Sequence, residues 1–322
     1  MQKILVLFGG NSKEHAISCK SAKTILENID TTIFDITTVG IHNHNWYIFN
    51  DNLDLLLNNT WLEGNIKPIN NIIEFLKLFD KVLPIIHGQD EENGALSGLF
   101  ELFNIPYVGS NILAHAISYD KEITKIICEY YNIPQVKYIA LTNNSKLDSI
   151  AIDFPVIIKP ASCGSSLGIN VANNIDELNQ HIETAFTFDS KVIIEKFIKC
   201  RELECAILEK DNQYYISTIG EINTSNKFYD YESKYILDSK ITIPAQIDKQ
   251  IIHKIQEYSK KIFKILSLKD LARIDFLYDH INKQLYFNEV NTLPGFTSTS
   301  MYPMLINESG LNTKDLITKL LK

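Results

Sequence analysis

The sequence predicts an α/β domain on a parallel sheet, followed by α+β structure. Three observations carry this. From residue 4 to residue 103, short apolar runs alternate with segments of helical periodicity, the pattern of a parallel sheet with crossover helices. From Asp120 onward strands come in closer succession, with fewer helices between them. A chain of 322 residues is long for one hydrophobic core, so two or three domains are expected. The expected division is 1–112, 113–198 and 199–322.

Ile4 to Phe8 reads as a buried strand ending in Gly9-Gly10, and Ser12 is placed to cap a helix from Lys13 to about Glu27. FDITTVGIHNHNWYIF reads as a strand and a hairpin. Lys81 to Ile86 is a strand ending at His87-Gly88, and Gly94 to Phe103 a helix with Leu96, Leu99 and Phe100 on one face. Loops after strand C-termini are where such sheets place ligands, and Gly9-Gly10 and His87-Gly88 are both such loops. A helix follows from Asp120 to about Tyr131, broken by Ile133-Pro134. Then come the strands VKYIAL and FPVIIKP, a loop SCGSSLG, the strand INVA, a helix from Ile175 to about Ala185, and the strand KVIIEKFI. Beyond Lys199 the order is ELECAILEK, QYYISTIGEI, a polar loop over 224–242, a helix near 246–266, two strands and a final helix.

Apolar residues make up 45 % of the chain and aromatics 10 %, which excludes a disordered protein. A formal net charge of −8 disfavours nucleic acid and anionic membrane as partners. A phosphate-bearing substrate would need local cations or a metal. The five cysteines include no CxxC pair and resemble neither a disulfide framework nor a zinc knuckle, so a reducing cytoplasm is expected. The apolar run at the start is too short for a signal segment or a membrane span.

The stretch LARIDFLYDHINKQLYFNEVNTLPG has two β-rich runs around a turn-prone centre. With the hairpin centred on Asn282, Asp275 faces Glu289 and Arg273 faces Asn291. Side chains alternate along strands, so all four share one face. Two carboxylates and an amide suit a hard cation such as Mg2+. A surface hairpin with charges facing water explains the same residues, and a one-residue slip would undo the pairing. Asn291 leads into TLPGFTSTS, a Pro-Gly turn whose N–H groups and hydroxyls can meet a carboxylate, and Arg273 would supply fixed positive charge.

Lys159 ends a strand five residues before Gly164, and a small loop there lets backbone N–H groups approach phosphate oxygens. A simple turn is the competing reading. Neither GxxxxGK[ST] nor GxGxxG occurs, which weakens a P-loop and a nicotinamide-type dehydrogenase alike. Glu195 and Glu202 flank a segment suited to an adenine slot between domains, or lie on a solvated surface. Lys121, Lys159, Lys196, Lys234 and Arg273 are scattered and only a fold could gather them. One cation about 4 Å from a phosphate is worth ~4 kcal/mol at an effective dielectric near 20. His42 and His44 in IHNHNW resemble metal ligands, but a hairpin anchored by Trp46 explains them.

The ordered segments FGGNSKEHAIS, HGQDEENGALSG, IPYVGS, YDK, IIKPASCGSSLG, IIEKFI, RELECAIL, FYDYESKY, ARIDF and NEVNTLPGFTSTS resemble the D-alanine–D-alanine ligases of the ATP-grasp superfamily, from about residue 4 to 322. The resemblance implies a three-domain ATP-grasp architecture. The 1–112 domain would hold the first D-alanine, 113–198 would be the central ATP-grasp domain, and 199–322 would carry the metal site and lid. It implies ATP and two Mg2+ ions as cofactors, with Mn2+ an acceptable substitute, two molecules of D-alanine as substrates, and a homodimer.

The same resemblance implies roles for individual residues. Lys121 and Lys159 would contact ATP phosphates under the GSSLG loop, with Ser166 within it. Glu195, Lys196, Phe197 and Ile198 would frame the adenine and Glu202 would hold the ribose. Phe228 and Asn288 would complete the nucleotide contacts, and Lys234 would reach the γ-phosphate. Asp275, Glu289 and Asn291 would bind the metals. Glu14 would hold the ammonium of the first D-alanine, linked to Ser165 and Tyr235, with His87 beside that subsite. Arg273 and the Gly295 backbone would stabilise a tetrahedral intermediate, and Ser300 would bind the carboxylate of the second D-alanine. The segment 225–240 would close as a lid.

The chain departs from the family's usual Gly-Glu-Asp-Gly after His-Gly, reading Glu91-Glu92-Asn93-Gly94, which puts the backbone path there in question because Glu91 takes positive φ less readily than glycine. Three alternatives remain distinct: a relative making D-alanyl-D-lactate, which goes with loss of the YDYxxKY motif intact here; another ATP-grasp ligase; and a non-catalytic nucleotide-binding module.

Overall fold

In the computed structural model, residues 1–142, 153–223 and 240–322 are described. The first unit comprises β1 (Gln2–Gly9), α1 (His15–Asn28), β2 (Phe34–His42), β3 (Asn45–Phe49), α2 (Asp54–Leu57), β4 (Ile66–Pro68), α3 (Ile72–Leu76) and β5 (Lys81–Ile85). Its sheet order is β4-β3-β2-β1-β5. The centre is parallel, β1 pairing with both β2 and β5. The β2–β3 hairpin and β4 then extend it antiparallel, so the expected parallel sheet is mixed. Residues Ile4 to Phe8 are fully buried, as a central strand covered on both faces requires. The hairpin turn takes positive φ at Asn43 and His44, and Trp46 is buried beneath it.

Two helices not foreseen bear on the site: α4 (Gln89–Glu92) and α6 (Ile112–Tyr119), separated by α5 (Ala95–Leu102). α4 answers the question raised at Glu91. Positive φ falls on Gly88 and Gly94, while Glu91 lies within the helical turn. A glycine is therefore not required at 91, and the Glu91 side chain is fully buried. α7 (Lys121–Tyr130) follows, capped by Asp120, whose carboxylate accepts from the Glu122 and Ile123 N–H groups.

β6 (Tyr138–Thr142), β7 (Val156–Pro160), β8 (Asn170–Ala172), α8 (Ile175–Phe186) and β9 (Lys191–Lys196) form an antiparallel sheet of order β6-β9-β7-β8, with α8 packed on one face. The last sheet joins β10 (Arg201–Lys210), β11 (Gln213–Asn223) and β12 (Lys240–Thr242). After α9 (Lys249–Ile265) it adds β13 (Leu271–Asp279) and β14 (Gln284–Asn291), giving the order β12-β11-β10-β13-β14. The final helix of the sequence reading is two, α10 (Met301–Glu308) and α11 (Thr313–Leu321), split by Gly310 at positive φ. These helices share one core with Ile4, Val6, Leu83 and Ile85 of the first sheet and with Ala206, Leu208 and Leu271 of the last. That shared core fixes the first and third sheets relative to each other, and the site lies where they meet.

Candidate active site

The first side of the site is built from the loop after β1. Ser18 on α1 accepts from the Gly9 N–H (2.7 Å) and donates to the Ile85 carbonyl, tying the ends of β1 and β5 to the helix. Ser12 does not cap α1 as the sequence suggested. Its hydroxyl accepts from the Glu14 N–H (3.2 Å) and donates to the His87 carbonyl (2.6 Å), and the N-cap residue is Glu14. The Glu14 carboxylate instead accepts from Ser165 Oγ (2.5 Å) in the glycine-serine loop. Gly88 permits this: a Cβ there would lie 2.9 Å from Glu14 Oε2. Ser165 and Ser166 both take positive φ, turning that loop back over Glu14.

The second side is the β13–β14 hairpin. Its register pairs Arg273 with Asn291 and Asp275 with Glu289, as the Asn282-centred hairpin predicts. Between Asp275 and Phe276 the register shifts by one residue, leaving Asn288 as an extra residue on β14. That bulge has a consequence strict alternation does not give: Asn288 reaches Lys159 while its neighbour Glu289 lines the cavity. Phe287 returns to the core against Phe276, while Asn288 Oδ1 accepts from Lys159 Nζ (3.3 Å).

Arg273 lies between two carboxylates. Its Nε is 2.8 Å from Glu204 Oε2, and its fork meets Asp275 with two contacts of 2.8 Å. Asn291 Nδ2 also donates to Asp275 (3.0 Å). Burial would lower the guanidinium pKa, but Asp275 and Glu204 outweigh it and hold Arg273 firmly charged. Glu204 escaped the sequence reading. The alternation that puts Glu202 on this face also puts Glu204 there, two residues on.

Deeper in, Glu195 pairs with Lys125 (2.5 Å) and Lys159 (2.6 Å). Burial would raise the Glu195 carboxyl, but the two ammonium groups outweigh it and bring it down to about 2. Lys125, 2 % exposed on α7, is a second residue missed; nothing in its local pattern marks it as buried. The Glu195 side chain is thus committed to lysines, not aimed at a base. Lys196 is exposed, Phe197 and Ile198 are half-buried, and the Phe197 N–H already donates to the Pro155 carbonyl (3.0 Å).

The two sides enclose a cavity of about 700 Å³. It brings together Glu14, His87, Lys121, Ser165, Arg273, Glu289, Asn291, Gly295 and Ser300 from the sequence reading. Lys121 donates to the Cys163 carbonyl (2.7 Å) and lies 3.8 Å from Glu289. Ser300 Oγ accepts from the Thr297 N–H (3.0 Å), and a Cβ on Gly295 would lie 2.8 Å from that oxygen. Glu92 also lines the cavity, where burial first, then Glu14 and Glu289, push its carboxyl well above the ordinary range. Lys159, Ser166, Glu195, Lys196, Phe197, Ile198, Glu202, Asp275 and Asn288 do not line this cavity. Phe228, Lys234, Tyr235 and nearly all of the expected 225–240 lid lie outside the described residues.

Among the described residues no group of three or more His, Cys, Asp or Glu side chains is arranged to hold a metal. Asp275, Glu289 and Asn291 offer two carboxylates and an amide. This fits a Mg2+ ion that keeps several positions for water and substrate phosphate.

Three sheets around such a cavity define the chain's class, an ATP-grasp enzyme, and solved structures agree. VanG D-Ala:D-Ser ligase from Enterococcus faecalis superposes with a TM-score of 0.90 at 36 % identity, covering 99 % of this chain and 98 % of that one. The D-alanine–D-alanine ligase of Bacillus anthracis complexed with ATP superposes with a TM-score of 0.80 at 27 % identity, covering 100 % and 96 %. Family models for the D-ala D-ala ligase N-terminus and C-terminus match residues 3–110 and 127–322. The D-alanine–D-alanine ligase of Acetivibrio thermocellus is 40 % identical, over 99 % of this chain and 95 % of the relative. The chain belongs to the D-alanine–D-alanine ligase family and is a ligase.

Proposed function

We propose that the protein joins two D-alanines into D-alanyl-D-alanine for peptidoglycan precursor synthesis, using ATP and Mg2+ and passing through an acyl phosphate. One observation carries the reading. A single cavity sets the Glu14 carboxylate, suited to a substrate ammonium, against Arg273 and Ser300, suited to an oxyanion and a carboxylate. The hard-cation oxygens of Glu289 and Asn291 stand on the same wall.

Glu14, oriented by Ser165, binds the first D-alanine's ammonium. Lys121 and Lys159 bind ATP phosphates beneath the glycine-serine loop, which includes Ser166. Phe197 and Ile198 frame the adenine, with the exposed Lys196 at its edge, and Glu202 holds the ribose. Glu195 acts there through Lys159, and Asn288 fixes Lys159 from the other side. Mg2+ bound by Asp275, Glu289 and Asn291 would neutralise the phosphate charge. Arg273 and the Gly295 N–H meet the oxyanion formed when the second D-alanine attacks, and Ser300 holds that substrate's carboxylate. Phe228, Lys234 and Tyr235 would complete the nucleotide and lid contacts. The domains 1–112, 113–198 and 199–322 each carry one of the three sheets. Family likeness is the ground for a cytoplasmic homodimer. No helix among the described residues is long and apolar enough to cross a membrane.

The test is phosphate release from ATP by the purified protein, with and without D-alanine and Mg2+. Release is expected to require both, with one D-alanyl-D-alanine formed per phosphate. Absence of any D-alanine-stimulated turnover would sink the ligase reading. A second acceptor has specific support, because the VanG neighbour is a D-Ala:D-Ser ligase. A panel of D-alanine, D-serine and D-lactate as acceptors separates the readings by product.

A further inference from the structure

Gly295 sits in the turn that follows the strand of Glu289 and Asn291, and behind that turn lie Ser21 and His87, the latter also on the cavity wall. His87 is 4 % exposed and Ser21 fully buried. His87 Nδ1 is 3.1 Å from the Leu293 carbonyl, which can only accept. Nδ1 therefore carries the ring proton, and Nε2 of the neutral ring is an acceptor. Ser21 Oγ lies 3.1 Å from Nε2 and donates to it. The same Oγ accepts from the Phe296 N–H at 3.1 Å. Three hydrogen bonds thus run in one direction, from Phe296 through Ser21 and His87 to Leu293. They close a ring around the turn and grip it on both sides of Gly295.

Two further observations fit this arrangement. Burial lowers the His87 pKa, outweighing the nearby Glu14 carboxylate, and so keeps the ring neutral. Ser12 anchors the His87 carbonyl (2.6 Å). α1 begins beside Glu14 and carries Ser21 two turns on, so one rigid helix spans from the proposed ammonium contact to the turn.

We propose that Ser21 and His87 are positioning residues that hold the Gly295 N–H in register with Glu14, and so serve condensation rather than phosphoryl transfer. This rests on the reading above, in which the Gly295 N–H meets the oxyanion. Acyl phosphate formation uses lysines and metal ligands on α7, β7, β13 and β14. In condensation the amine of the second D-alanine attacks the acyl carbon. The C–N bond forms, the C–O bond to phosphate breaks with its electron pair leaving on phosphate, and the amine proton passes to solvent. A displaced oxyanion donor slows this step alone, and the waiting acyl phosphate is lost to water.

The experiment measures phosphate released and dipeptide formed by the full chain with ATP, Mg2+ and D-alanine. In Ser21→Ala, dipeptide formation is expected to fall ~10–100-fold. Phosphate release should fall less, so phosphate per dipeptide rises above one. His87→Asn keeps an amide donor near the Nδ1 position and is expected to retain more coupling than His87→Ala. Loss of phosphate and dipeptide in equal proportion, or no loss of either, would overturn the proposal. Should Ser21→Ala fail to give a cooperative melt, the ratio in His87→Asn against His87→Ala decides in the same way. No D-alanine-stimulated phosphate release from the wild type would refute the ligase reading itself, an outcome distinct from a fully coupled Ser21→Ala.

Discussion

Two buried charge clusters flank the β14 bulge, and they are built with opposite signs. Arg273 lies between Glu204 and Asp275: one guanidinium against two carboxylates, a surplus of one negative charge. Glu195 lies between Lys125 and Lys159: one carboxylate against two ammonium groups, a surplus of one positive charge. Buried charge is costly unless paired, and neighbouring carboxylates share in each balance: Glu289 and Glu202 act on Lys159, and Glu289 acts on Arg273. The negative surplus stands beside Glu289 and Asn291, where a divalent cation fits. On the proposed function a phosphate would meet the positive cluster at Lys159. On the proposed function, a chain of net charge −8 would meet a polyanion through this local cluster of cations.

The most damaging way to break the first cluster is Arg273→Met. It leaves Glu204 and Asp275 facing each other without their cation, and stability should fall by ~3–5 kcal/mol. On the proposed function it also removes an oxyanion donor, and kcat should fall by ~10²–10³. Thermal melts and coupled phosphate-release kinetics check both. A fall in stability with kcat intact would reduce Arg273 to a structural ion pair.

In the second cluster the two lysines should separate by function. Lys159→Met is expected to raise the KM for ATP at least ~10-fold, since its side chain is the less buried of the two, 11 % exposed against 3 %, and the proposed function gives it an ATP phosphate. Lys125→Met should cost ~1–3 kcal/mol of stability while changing the KM for ATP far less, because Lys125 is sealed behind Glu195. Equal effects on KM would erase the distinction.

How much of this was legible in the sequence differs between the same two regions. The hairpin register was readable because side-chain alternation and a turn-prone centre fix it locally, and Asp275 meets Glu289 as expected. The bulge at Asn288 was not, since nothing in QLYFNEVN distinguishes an extra residue from a regular strand. Glu204 was within reach of the alternation rule, but Lys125 was not. Its burial depends on Glu195, 70 positions away, and on Tyr138, whose ring lies under its ammonium. The mixed first sheet and the split last helix follow the same division. Strands and helices are local patterns, and Gly310 at positive φ is itself a local stop signal, while which edge a hairpin joins is settled by packing.

Glu195 also gives the second cluster a pH signature. Its carboxyl is held down to about 2 in the folded protein, against about 4.3 for an ordinary glutamate. A depressed folded pKa contributes stability that is complete above about pH 4.3 and lost as pH falls toward 2. Glu195→Gln should therefore be less stable than the wild type by ~3 kcal/mol near neutrality, and the gap should close through that acid window. Denaturant titrations at a series of pH values measure it. A gap that stays constant to pH 3 would mean the lysines do not set the charge of Glu195.

The smallest expected effect lies in the histidine hairpin, where the sequence favours a turn anchored by Trp46 over metal ligands and the structure forms that hairpin. His44 takes positive φ, its N–H donates to Asn11 Oδ1 (3.0 Å), and its ring nitrogen Nδ1 meets Asn11 Nδ2 (3.2 Å). Only the last contact depends on the side chain, and it is exposed. His44→Ala should change stability by less than ~0.5 kcal/mol and leave the metal dependence of turnover as it was. A shift in the Mg2+ concentration needed for half-maximal rate would show that the carboxylate hairpin and the histidine hairpin are not the separate regions their surroundings make them.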